Sequence, residues 1–251
     1  LTYQREPGEV TYSYLAYAQP LFFRGQSVAV VLGTLQTADV DFVDLVGNLN
    51  SIAGQADWLL AASYGVSLMP LLAAPNPRTF SASGGLTVKY LHTTLGGELK
   101  DQIPTADLGV WLKVPVVEGW WPTQVGAVWQ NMGARVKLGD EVDLVASPLR
   151  LGVAQLVVEN RQAWTTIILE AVKVVTRQDT ALHVGLEQVW KPQTSLGVAV
   201  RAGYRSGIDL PGLSGGVGIR WSRFVLDYAI ARVGALGMVQ RVGMRVRWQG
   251  K

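Results

Sequence analysis

From Ala181 to the C-terminal end the chain keeps one arrangement through five successive segments: bulky apolar residues at alternate positions, small or charged residues between them. Leu182, Val184, Leu186 and Trp190 share one parity, and His183, Gly185 and Glu187 the other. Leu196, Val198, Val200 and Tyr204 oppose Gly197, Arg201, Gly203 and Arg205. Leu213, Val217, Ile219 and Trp221 oppose Ser214, Gly216, Gly218 and Arg220. Phe224, Leu226, Tyr228 and Ile230 oppose Val225, Asp227 and Ala229, and Val242, Met244, Val246 and Trp248 oppose Arg241, Gly243, Arg245 and Arg247. A repeat of two residues is that of a β-strand, whose side chains point alternately to opposite faces. The bulky face is the apolar one and the small face carries the charge, which inverts the pattern of a water-soluble barrel. A closed barrel in lipid has this polarity, because it satisfies its backbone internally and turns its apolar side chains outward.

The totals agree. Of the 251 residues 49% are hydrophobic and only 16% charged, with a mean hydropathy of +0.21. A soluble domain carries about 25% charged residues. The net charge of +3 is too small to argue for nucleic acid, and no zinc-finger, helix-turn-helix or RNP-like pattern is present. With no cysteine there is neither a disulfide framework nor a thiolate metal site. Leu1 to Glu9 is polar, so a signal peptide is not expected in this chain.

About thirteen strand-like runs follow one another without a change of composition, which predicts one domain over residues 1–251. The first two are Val10 to Gln19 and Gln26 to Phe42; Gly47 to Gln55 reads as a loop. Trp58 to Pro75 is uncharged and long enough for a spanning helix, but Ser63, Gly65, Ser67 and Pro70 interrupt it and its parity is that of a strand. Pro75 to Arg78 is a turn signal, followed by runs over Phe80 to Thr94, Thr105 to Val114, Pro122 to Gln130, Leu149 to Glu159 and Ala163 to Thr176. In that last run Glu170 and Lys173 fall on opposite parities, and a β-bulge would reconcile them. Trp58, Trp111, Trp121, Trp129, Trp164, Trp190, Trp221 and Trp248 lie near strand ends, where an aromatic girdle meets the membrane interface.

Catalytic chemistry finds little support. His92 and His183 have no metal-ligand spacing, and neither a nucleophile elbow nor a P-loop is present. No cofactor or metal is expected, and His183 reads as a lumen residue beside Glu187. The distinctive constellation is the inward charge: Glu187, Arg201, Arg205, Arg220, Asp227, Arg241 and Arg245, with Arg247. Enclosed arginines need partners or water. Asp227 is placed to bridge the Arg220 and Arg241 runs, and Glu187 to face Arg201. The set either rigidifies the lumen or holds an anionic group such as a carboxylate. Glycines on the same faces leave room for a plug, a ligand or a partner's loop. Asp140, Glu141 and Asp143 lie in a long polar connection that reads as a solvated turn or an exposed recognition loop for a partner.

Several short patterns resemble those of PorV/PorQ-type (UPF0164) outer-membrane β-barrels of the FadL-like superfamily. Gly85, Lys89 and Tyr90 match a G-x-x-x-K-Y strand, Asp107 to Gly109 a D-L-G, and Gln130, Asn131 and Gly133 a Q-N-x-G strand end. Pro148, Arg150 and Gly152 resemble a shortened P-x-x-x-R-x-G, and Gly185 with Glu187, then Arg201, Gly203 and Tyr204, a G-x-E and R-x-G-Y pair. Asp227 to Ala229, Leu236 with Gly237, and Gln240 with Arg241 resemble the closing signature. The resemblance implies a fourteen-stranded outer-membrane barrel with lipid and envelope or secreted proteins as partners, acting as a docking accessory of type IX-like protein secretion or of a surface assembly. A FadL-like passive uptake of hydrophobic molecules is the alternative, then a barrel that only anchors a larger assembly; a soluble β-sandwich is the bland reading. The family opens with a segment upstream of Leu1, so the resemblance implies a barrel one strand short, its seam closed by something else. The terminal aromatic used in membrane insertion is displaced, with three residues after Trp248.

Overall fold

The computed structural model describes all residues other than 22–24, 44–45, 70–79, 115–122, 139–140, 161, 177–178, 192–194, 208–211, 235–236 and 249–251. The first half of the chain forms β1 (Thr2–Glu6), β2 (Val10–Pro20), β3 (Gln26–Gln36), β4 (Val40–Val43), β5 (Leu49–Ile52), β6 (Ala56–Ser67), β7 (Ser81–Leu95), β8 (Leu99–Val114) and β9 (Thr123–Met132). The second half forms β10 (Arg135–Leu138), β11 (Glu141–Leu144), β12 (Pro148–Glu159), β13 (Ala163–Val174), β14 (Asp179–Trp190), β15 (Leu196–Gly207), β16 (Gly212–Trp221), β17 (Phe224–Val233) and β18 (Gly237–Val246). Fourteen of them close into an antiparallel barrel in the order β1-β18-β17-β16-β15-β14-β13-β12-β9-β8-β7-β6-β3-β2. The other four make two separate hairpins, β4–β5 and β10–β11. The fold is thus the transmembrane barrel that the alternation predicts, and among the described residues no helix is long and apolar enough to cross a membrane.

The expected missing strand is present. Thr2 to Glu6 pairs with β18 on one side and β2 on the other, in register through Gln4 with Arg241 and Tyr12. Its single apolar side chain, Tyr3, continues the outer face with Val242, while Thr2 and Gln4 join the inner one. Two further expectations are corrected. The run from Gln26 to Phe42 breaks after Gln36, and Val40–Val43 turns away to pair with Leu49–Ile52, so the stretch read as a loop holds a strand. The bulge expected in β13 lies in its neighbour: the register of β12 slips between Leu156 and Val158 while β13 stays regular against β14. Glu170 and Lys173 therefore keep opposite faces, Glu170 opposite His183 and Lys173 opposite Thr180.

The outer wall is a belt of half-exposed apolar side chains, among them Leu32, Leu60, Val88, Leu108, Leu151, Leu169, Val184 and Leu226. In water this surface would be a severe liability; in hydrocarbon it is the solvated face. Trp58, Trp129, Trp190, Trp221 and Trp248 belong to it, each well exposed near a strand end, as an interface girdle requires. Trp111 and Trp164 do not. Trp111 lies opposite Gly126 and lines the lumen, and Trp164 lies opposite Val189 on the same inner parity as Glu187. Trp121 lies outside the described residues, as do the turn at Pro75 to Arg78 and Leu236.

Inside, the two halves of the wall differ. Along β2, β3 and β6 the inner face is filled: Tyr14 lies across Gly33, where a Cβ would sit 2.9 Å from the ring, with Leu59 beside it. On β8, beyond β7, Ile103 has inward parity and is only 3% exposed. From β9 round to β1 the inner face instead borders open space.

Candidate functional site: a charged lumen

That space is a cavity of about 1430 Å³, bordered by β1, β8, β9 and β12 to β18. A barrel of eight strands fills itself with side chains, and wider ones leave room. Here the room lies where glycine recurs on the inner parity: Gly126, Gly152, Gly185, Gly203 and Gly216 all border the cavity. A second space of about 480 Å³ adjoins it around Trp111, Asp107, Arg150 and Glu170.

The central feature is Arg201 on β15. Its Nε donates to Glu187 Oε2 at 2.7 Å and its Nη1 to Asp227 Oδ1 at 2.7 Å. Glu187 is its direct neighbour in register, but Asp227 is two strands away, beyond Gly218 of β16. A Cβ on Gly218 would lie 2.5 Å from Asp227 Oδ1 and 3.1 Å from Arg201 Nη1. The absent side chain is what lets the ion pair cross the strand. The expected bridging of Arg220 and Arg241 by Asp227 is therefore corrected, because Asp227 is spent on Arg201.

Arg241 has a different partner. Its Nε donates to Gln4 Oε1 at 2.7 Å, its Nη2 bonds the same oxygen, and Gln4 in turn bonds Glu6 Oε1. Strand β1 thus contributes polar side chains to the lumen as well as closing the seam. Glu170 forms a third group, with His183 Nδ1 2.7 Å from Oε2 and Arg150 Nη1 3.3 Å from Oε1. His183, expected beside Glu187, sits on Glu170. A fourth joins residues of the sequence patterns: Lys89 Nζ lies 2.5 Å from Asp107 Oδ1 and from Asn131 Oδ1, while the Asn131 N–H donates to Asp107 at 2.9 Å. Asn131 holds φ at 54°, a left-handed conformation that asparagine tolerates better than most residues.

The predicted constellation is therefore spread along the barrel. Glu187, Arg201, Asp227 and Arg241 lie in mid-wall. Arg205 lies near the end of β15 at the mouth that carries the two extra hairpins, and it borders the cavity. Arg220 and Arg245, each in register with Val225, lie toward the opposite mouth, where Leu1 and the end of β18 meet. Asp140 lies outside the described residues, and Glu141 and Asp143 belong to β11 rather than to a loop. Asp143 is paired through its backbone with Val136. Sequence reasoning missed Gln4, Glu6, Arg150 and Glu170; the inward parity of Arg150 and Glu170 was the signal available. Among the described residues no group of three or more acidic or histidine side chains is placed to hold a metal.

No protein-family model matches the chain, and no curated protein sequence does. Solved structures do. CdiB from Acinetobacter baumannii superposes with a TM-score of 0.51 at 10% identity, over 95% of this chain but 51% of that one. The KdgM porin gives 0.42 at 10% identity over 99% and 98% of the two chains, and the Ralstonia pickettii toluene transporter TbuX 0.46 at 10% over 98% and 89%. At such identities the likeness is one of fold.

Proposed function

We propose that this protein is a non-enzymatic barrel of a Gram-negative type outer membrane whose lumen admits small anionic solutes. The observation that carries the reading is the cavity of about 1430 Å³ bordered by Arg201, Arg205 and Arg241 together with Glu6, Glu170, Glu187 and Asp227, behind an apolar outer belt. A charged wall replaces part of a solute's water shell, and its arginines, joined toward one mouth by Arg220 and Arg245, offer an anion its donors. The same charges disfavour the hydrophobic cargo of a FadL-like uptake. The supporting experiment is reconstitution into planar bilayers across a salt gradient. Steady conductance with a reversal potential on the anion side is expected; a silent bilayer, or cation selectivity, would sink the proposal.

A second reading, protein docking of the kind the PorV/PorQ-type resemblance implies, is favoured by one feature. Hairpins β4–β5 and β10–β11 stand outside the barrel at one mouth and expose Val43, Leu49, Val142 and Leu144. Co-purification of an envelope protein after detergent extraction, lost when residues 135–144 are replaced by a short Gly-Ser turn, would support it.

A further inference from the structure

We propose that the lumen mouth at the chain termini is a binding site for a phosphate-type polyanion, built by Lys191, Arg220, Arg245 and Arg247. The site deepens the anion reading above by naming the group, yet it does not require conduction.

Geometry brings the cations together. Gly197, Arg220, Val225 and Arg245 lie in one cross-strand row on the inner face of β15 to β18. A Cβ on Gly197 would meet Lys191 Cγ at 3.5 Å and Arg220 Nε at 3.6 Å, so both side chains lie over the glycine. Lys191 Nζ stands 4.1 Å above the Trp164 ring, which fixes it on the inner side. The Arg247 N–H donates to the Arg223 carbonyl at 2.9 Å and holds Arg247 against the β16–β17 turn. Burial, then the charges of Arg220 and Arg247, push the Lys191 ammonium pKa down, while Glu159 opposes the shift.

What distinguishes this mouth is an excess of positive charge: among the described residues Glu159 is the carboxylate that acts on Lys191, and it forms no ion pair with it. Among the described residues none of the four cations is in an ion pair. Other carboxylates of the wall are engaged deeper in the lumen, Glu187 and Asp227 on Arg201 and Glu170 on Arg150 and His183, which leaves Glu159 alone against the four cations. Like charges gathered without a partner raise one another's energy, and a multiply charged oxyanion relieves all of them at once. A monocarboxylate would leave most of the donors unused. The solute is a soluble one and not a lipid headgroup, because the row faces the lumen while Trp221 and Trp248 occupy the lipid side of the same strand ends.

Calorimetric titration of the detergent-solubilised protein with inorganic pyrophosphate tests this. One site per chain is expected, with affinity falling at least tenfold in the Arg220→Gln/Arg247→Gln double variant, and falling in Lys191→Gln. Arg220→Lys should bind nearly as the parent, and Lys100→Gln at the other mouth should bind unchanged. Circular dichroism checks that each variant is folded. No pyrophosphate binding, or binding indifferent to the mouth substitutions, would overturn the site. Phosphatidylglycerol retained from nanodiscs without pyrophosphate binding would overturn the soluble assignment. A barrel that binds pyrophosphate but stays silent in bilayers would refute the conduit and leave this site standing.

Discussion

Gly218 shows how a residue with no side chain can decide the wiring of a wall. Arg201 reaches Asp227 only across the space that a Cβ on Gly218 would occupy. Valine has the higher strand propensity, so on backbone grounds Gly218→Val should stabilise. We expect the opposite: a loss of about 1 kcal/mol, the upper range for a partly exposed ion pair. Asp227→Asn should cost a similar amount, and the double variant little more than either alone, because both remove one interaction. Urea midpoints in lipid vesicles measure all three; additive losses would show that Gly218 does not act through the bridge. The inner parity of Glu187, Arg201 and Asp227 is legible from alternation. The Glu187–Arg201 pair, between adjacent strands, is legible as well; the Asp227–Arg201 pair is not, since the two meet across an intervening strand.

The elements divide by how much of their stability is their own. Strands β14 to β18 carry their two-faced pattern in full and were readable. Strand β1 has one apolar residue and is a strand because β18 and β2 each offer it an unpaired edge. Hairpin β10–β11 is likewise placed by a neighbour. The Lys137 N–H donates to Asp101 Oδ2 at 2.5 Å, at the start of the long strand β8, which exceeds the roughly 9 to 11 residues a membrane requires. The N–H groups of Lys137 and then Gln102 hold the Asp101 carboxyl below the usual carboxylate range. Because its folded pKa is depressed, this contact is complete above the unfolded value of 3.8 and is lost as pH falls through the folded one. Hydrogen exchange at the Lys137 amide should therefore show protection, relative to its intrinsic rate, at pH 6 that fades below about pH 4. Asp101→Asn should reduce that protection at pH 6; equal protection in both proteins would remove Asp101 from the docking of the hairpin.

For the whole molecule, the decisive relation is between the outer belt and the lumen. Neighbouring positions on β12 test it. Val153 is paired with Val125 and Leu169 on the exposed outer face, and Ala154 shares the inner parity of Gly152, which lies opposite Glu170. An arginine near the midplane of the lipid face costs about 2–4 kcal/mol, and one in a hydrated lumen far less. Val153→Arg should therefore shift the folding equilibrium in vesicles by that amount, and Ala154→Arg by less than about 1 kcal/mol. Similar costs at both positions would contradict the orientation of the wall. The strand type, the number of barrel strands to within one, and the side of the sheet that meets lipid all follow from local alternation, because side-chain direction in a strand repeats every two residues whatever surrounds it. Closure of the seam, the filled half of the lumen against the open half, and the isolation of the cations at one mouth depend on registers between strands far apart in the chain. Those distances are set by pairing around the whole ring, and only the closed barrel contains them.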